Sequence, residues 1–90
     1  LDLSDNYIDY LEISFSNKSL NIKKLNLANN QLRYINLDIE SLKDLDLSNN
    51  FKLELVNLTK CSSIRTLSMS NNKKIRIIDF KDWHFLMHLD

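Results

Sequence analysis

The sequence predicts an α/β-type repeat solenoid, with a parallel β-sheet on its concave face, a convex side of mostly extended or short-turn segments, and few helices. Three observations predict it. The hexad Leu-x-Leu-x-x-Asn occurs at Leu1, Leu3 and Asn6, at Leu25, Leu27 and Asn30, and at Leu45, Leu47 and Asn50, and a fourth copy reads Leu67, Met69 and Asn72. With 17 Leu and 12 Asn in 90 residues, chance supplies about half an instance and no regular spacing. Second, leucines alternate with polar or small residues through Lys24–Ala28 and Asp44–Ser48, the pattern of a strand that buries one face. Third, the chain has no glycine and no proline but is rich in asparagine. Asparagine tolerates left-handed backbone and bonds to neighbouring amides, so it can make tight corners where glycine is missing.

Each unit yields its elements in turn. The first leucines fall at 1, 25, 45, 67 and 89, so the units are 24, 20, 22 and 22 residues long. Residues 1–90 read as one segment of about four repeats, each opening on a short strand. Equivalent strands one unit apart bury their leucines by stacking in parallel about 4.8 Å apart, which makes columns of like side chains. At each strand end Asn6, Asn30, Asn50 and Asn72 occupy one column. A turn buried there leaves backbone groups that cost about 1–3 kcal/mol each when unpaired, and one carboxamide per unit can satisfy them as a ladder. The return path continues as Ile8, Leu11, Ile13 and Phe15, then Leu32, Ile35, Leu37 and Ile39. In the last two units it is displaced by one residue, to Leu53, Val56, Leu58 and Cys61 and to Ile75, Ile78, Phe80 and Trp83, after the insertions Phe51-Lys52 and Lys73-Lys74. A local bulge is expected to absorb the extra residue. Residues 16–19, small and polar, read as an exposed loop.

An apolar residue also stands three places before each later hexad, at Ile22, Leu42, Ile64 and Leu86, completing Leu-x-x-Leu-x-Leu-x-x-Asn. On this motif the chain resembles the leucine-rich repeat family over essentially its whole length. The resemblance implies a rigid protein-recognition scaffold without catalysis, taking a protein partner on the strand face. Short units are most similar to those of intracellular scaffolds and regulatory subunits. The wording Leu-Asp-Leu-Ser-x-Asn at Leu1 and Leu45 also resembles receptor ectodomains, so an architectural spacer within a larger receptor or signalling enzyme is the alternative role. Leu89-Asp90 repeats Leu1-Asp2, which reads as an interior piece of a longer array.

Composition narrows the function classes. Twelve Lys and Arg balance 12 Asp and Glu, so the basic excess needed for phosphate contacts is missing and no nucleic-acid partner is expected. Without glycine, no phosphate-cradling loop and no nucleophile elbow can form, and no cofactor is expected. No run of 18 apolar residues exists for a membrane span and no basic-then-apolar leader opens the chain, so no membrane contact is expected from this segment. Cys61, the one cysteine, excludes an internal disulfide and reads as a small core hydrophobe. His84 and His88 have neither the glutamate nor the cysteines of a metal site and read as structural. Ser4, Ser48 and Ser70 read as small residues that keep the strand face smooth. Asn17 and Asn57 match the glycosylation acceptor, but about 1.6 such matches arise by chance in this composition.

The remaining polar signal lies on the strand face. Asp2, Asn26, Asp46, Ser68 and Asp90 share the outward column between the two leucines, and Lys24, Asp44, Thr66 and His88 share the column beside it. Asp2, Lys24, Asn26, Asp44, Asp46 and Ser68 are the candidate partner-binding residues there, against the simpler reading of a solvated face. Arg65 joins them as the one interface-favoured side chain near the edge of the face. Tyr10 and Tyr34 are further candidates on a lateral stripe with Leu55 and Ile77, beside the charged column Asp9, Arg33, Glu54 and Arg76. The simpler reading there is shielding of the core rim.

Overall fold

A computed structural model describes residues 1–14, 21–80 and 88–89. Among the described residues there are eight strands: β1 (Tyr10–Ser14), β2 (Lys24–Asn26), β3 (Tyr34–Asp38), β4 (Asp44–Asp46), β5 (Leu55–Leu58), β6 (Thr66–Ser68), β7 (Ile77–Phe80) and β8 (His88–Leu89). They form two four-stranded parallel sheets, ordered β2-β4-β6-β8 and β1-β3-β5-β7. No helix occurs among the described residues. The chain therefore alternates between two sheets, and each strand pairs with its equivalent one unit later.

The register of the first sheet is that of the hexads. Leu25 pairs with Leu45, Leu45 with Leu67, and Leu67 with Leu89, and a parallel bridge from Asp2 to Asn26 extends the sheet to the first unit. A slip of one residue would turn every leucine of a strand to water, so burial sets this register strongly. Beyond each strand the pairing continues: the Leu3, Leu27 and Leu47 amides donate to the Asn26, Asp46 and Ser68 carbonyls at 2.7–2.8 Å.

The corner that follows depends on the residue before each ladder asparagine. Asp5, Asn29, Asn49 and Asn71 have φ of 58°, 59°, 58° and 61°, the left-handed region that glycine usually occupies and that Asn and Asp tolerate best among other residues. The ladder itself lies just inside. Asn30 Nδ2 donates to the carbonyls of Leu27 and, in the preceding unit, Leu3, both at 3.0 Å, while its Oδ1 accepts the Asn6 and Ile8 amides at 3.1 and 3.2 Å. Asn50 Nδ2 donates to Leu27 O (3.1 Å) and Leu47 O (2.8 Å), and Oδ1 accepts the Leu32 amide at 3.2 Å. Asn72 repeats the motif, donating to Leu47 O at 2.8 Å and accepting the Asn50 amide at 2.7 Å. Asn30 and Asn50 are buried, and no described buried side-chain nitrogen or oxygen lacks a partner. Each carboxamide thus joins one unit to the one before it.

The return path is more ordered than extended segments or a single helical turn: it is the second sheet. Its strands alternate inward Ile35 and Leu37, then Val56 and Leu58, with outward Asn36 and Asn57, and branched or long apolar residues at period two suit a half-buried strand. The extra residue of the third and fourth units is accommodated by a turn instead of the expected bulge. Leu53 N donates to Asn50 O at 3.0 Å and Ile75 N to Asn72 O at 3.4 Å, so the insertion closes locally and leaves the β3–β5 and β5–β7 pairing in register.

The core lies between the sheets. Leu27, Leu32, Ile35, Leu37, Leu47, Leu53 and Leu58 are among its fully buried members, and each such side chain contributes about 1.5–3 kcal/mol relative to exposure. Leu3, Ile8 and Leu11 of the first unit and Met69, Ile75 and Ile78 of the fourth are partly buried against it. Cys61 sits in this core, its Sγ donating to Leu37 O at 3.4 Å, and burial pushes its thiol up from the ordinary value. Phe15, Asn17, Trp83, His84, Leu86 and Asp90 fall outside the described residues, as do residues 16–19.

Candidate functional site

Side chains alternate across a strand, so burying the leucines of the first sheet turns the residues between them outward. The result is an open concavity of about 460 Å³ across the four units. Six of the sequence-predicted residues, Asp2, Lys24, Asn26, Asp44, Asp46 and Ser68, line it together with Thr66 and with Leu1, Leu25, Leu45 and Leu67. Arg65, Tyr10 and Tyr34 do not line it.

The lining is preorganised. Asp2 Oδ1 accepts the Ser4 hydroxyl at 2.6 Å and the Ser4 amide at 2.9 Å, and Asp46 Oδ1 does the same with Ser48 at 2.7 and 2.9 Å. Asn26 Oδ1 accepts the Ala28 amide at 3.0 Å. A short side chain bonding to the amide two residues on closes a local turn, so this column holds the strand ends as well as facing the groove. Ser4 and Ser48 therefore act as donors to the aspartates and are more than small spacers. The Ser4 hydroxyl and amide hold the Asp2 carboxyl below its usual value.

The neighbouring column is linked across units. Asp44 Oδ1 accepts the Thr66 hydroxyl and lies 3.4 Å from Arg65 Nε. The Thr66 hydroxyl first, then Arg65, hold the Asp44 carboxyl below its ordinary range. Arg65 is thus a clamp at the rim of the groove. Thr66 belongs among the lining residues although it was not singled out in the sequence; its position in the column of Lys24 and Asp44 was the available signal.

The tyrosines lie on the second sheet. Tyr10 pairs with Tyr34 in the β1–β3 ladder, and their rings stack with centroids 5.6 Å apart and planes at 18°. Tyr10 is well exposed and Tyr34 partly so. Tyr34 also borders a hollow of about 330 Å³ with Arg33, Glu54, Leu55 and Arg76. Two more aromatics are well exposed, Tyr7 at 87% and Phe51 at 62%. Each immediately follows a ladder asparagine, and aligning the units on that asparagine is the signal that places both in one outward column with Gln31 and Lys73.

Among the described residues, no group of three His, Cys, Asp or Glu side chains could hold a metal ion, and no helix is long and apolar enough to cross a membrane. The groove carboxylates Asp2, Asp44 and Asp46 each accept a hydroxyl, from Ser4, Thr66 and Ser48 respectively. No family model matches the chain. No solved structure matches it.

Proposed function

We propose that the chain is a segment of a leucine-rich repeat solenoid and serves as a non-catalytic protein-recognition scaffold, with the groove over β2, β4 and β6 as its contact surface. The observation that carries this reading is the groove itself: outward polar side chains, contributed by four successive units, are held in fixed positions by hydrogen bonds to their own backbone or to the adjacent unit. Preorganisation lowers the ordering cost of association. The recurrent hexad and asparagine ladder support the solenoid reading, because units that bury their leucines only against neighbours build an extended surface. The lining lacks Trp, Tyr and Arg, the usual anchors of a tight interface. That observation favours a second role, an architectural spacer whose neighbours carry the activity.

Two substitutions separate the roles. Asp46→Lys and Ser68→Arg alter the groove without touching the ladder or the core. If the groove is the contact surface, each variant weakens capture of a partner isolated with the unaltered protein, whereas a spacer retains it. Retention at full strength by both variants, with unchanged circular dichroism, refutes the groove as the recognition surface.

A further inference from the structure

The charged column beside the tyrosine stripe does not belong to the groove. The Arg33 amide donates to Asp9 O, the Glu54 amide to Arg33 O and the Arg76 amide to Glu54 O, at 2.8–3.0 Å, so these four residues stack one strand spacing apart. The turns that absorb the insertions add Lys52 and Lys74 beside Glu54 and Arg76. Two hollows open on this edge and share Arg33 and Glu54. One, of about 220 Å³, is completed by Lys52 and Lys74; the other, of about 330 Å³, by Tyr34, Leu55 and Arg76. Around them four cationic side chains surround one carboxylate. All five are exposed, and the side-chain nitrogens of the four cations make no hydrogen bond or ion pair among the described residues. The chain as a whole is neutral, so this excess is a local segregation of charge.

We propose that this edge is a second recognition site, which binds an extended acidic segment of a protein partner. Charge complementarity selects an anionic occupant, and the spacing of the cations selects its form. Arg33 and Arg76 stand two parallel strands apart, about 9.6 Å. In an extended polyproline-type segment, side chains three residues apart project from one side about 9.3 Å apart, so carboxylates at that spacing reach both arginines. One of the two residues between them lies over Tyr34 and Leu55, which supply an apolar wall. Glu54, at the centre, then faces the gap between the two acids. A continuous phosphate backbone has no such gap and would set negative charge against Glu54, which disfavours nucleic acid. The site shares no lining residue with the groove and stands or falls independently of it.

Fluorescence anisotropy tests the proposal with a labelled peptide of about twelve residues that repeats glutamate, leucine and serine, titrated at low and at about 0.15 M salt. Binding is expected for this peptide, weaker at the higher salt, and lost when glutamine replaces glutamate. Arg33→Glu combined with Arg76→Glu weakens it roughly tenfold or more, and Lys52→Ala combined with Lys74→Ala several-fold. Asp46→Asn, in the groove, leaves it unchanged. The lysine pair lies in turns outside the ladder, so it decides the matter if the arginine pair fails to fold. The proposal is overturned by no binding at low salt, by equal binding of the glutamine peptide, by tighter binding of a single-stranded oligonucleotide or phosphatidylserine vesicles, or by charge variants that bind as the unaltered protein does.

Discussion

Asn50→Ala isolates what the ladder contributes. Asn50 is 0% exposed, and its carboxamide accepts from the Leu32 amide and donates to Leu27 O, Leu47 O and, at 3.3 Å, Ser48 O. The four lost bonds are not equal, and the longest, to Ser48 O, which keeps the Asn29 amide, contributes least. Leu27 O still receives Asn30 Nδ2, and Leu47 O still receives Asn72 Nδ2, so each carbonyl keeps a partner and its loss is about 0.5–1.5 kcal/mol. The Leu32 amide is left unpaired in the interior, at about 1–3 kcal/mol. Together these give a destabilisation of about 2–6 kcal/mol, a large share of the roughly 5–13 kcal/mol expected for a chain of this length. Asn6→Ala is the matched control. Asn6 is exposed, and among the described residues its carboxamide bonds only to Leu3 O and Ser4 O, so its removal costs about 0.5–1 kcal/mol. Urea unfolding followed by circular dichroism measures both, provided the slope is unchanged between variants. If Asn50→Ala lies within about 1 kcal/mol of the unaltered protein, or equals Asn6→Ala, the ladder does not bind the units together.

Two further predictions concern the corner and the buried thiol. At φ 58°, Asn49→Ala places a Cβ in left-handed backbone and lowers stability by about 1–2 kcal/mol, a fall of roughly 4–8 °C in Tm per kcal/mol, whereas Asn49→Gly stays within a few tenths of a kcal/mol; both remove the bond from Asn71 Nδ2 to Asn49 Oδ1, so equal Tm values would show that backbone strain is not what selects asparagine there. Burial raises the Cys61 thiol, so the folded chain keeps its proton at alkaline pH after the unfolded chain has lost its own: stability is whole below the ordinary thiol value of 9.0 and declines as pH rises from there toward the raised folded value, by up to about 1.4 kcal/mol per pH unit. Cys61→Val removes this slope, and urea midpoints at pH about 8 and 10 that fall equally in both proteins would contradict the assignment.

The repeat made a good part of this protein legible in advance. Leucines at fixed spacing must share a face, and the polar residues between them must share the other, so the columns Leu25, Leu45, Leu67 and Leu89 and the outward placement of Asp2, Asn26, Asp46 and Ser68 follow from periodicity alone. Asparagine in place of glycine likewise announced both the left-handed corners and the ladder, because few other side chains do either. What the tertiary structure alone decided are the pairings along the return path and the side-chain links between units. The return path had the alternation of a strand, but whether Ile35 and Val56 would become partners in a second sheet depended on hydrogen bonds between residues some twenty positions apart. The same holds for the Thr66–Asp44–Arg65 link and for the placement of Lys52 and Lys74 beside the column of Arg33, Glu54 and Arg76. Local spacing dictates which way a side chain points, whereas its neighbour in the next unit is set by how the insertions close, and that requires the stacked chain.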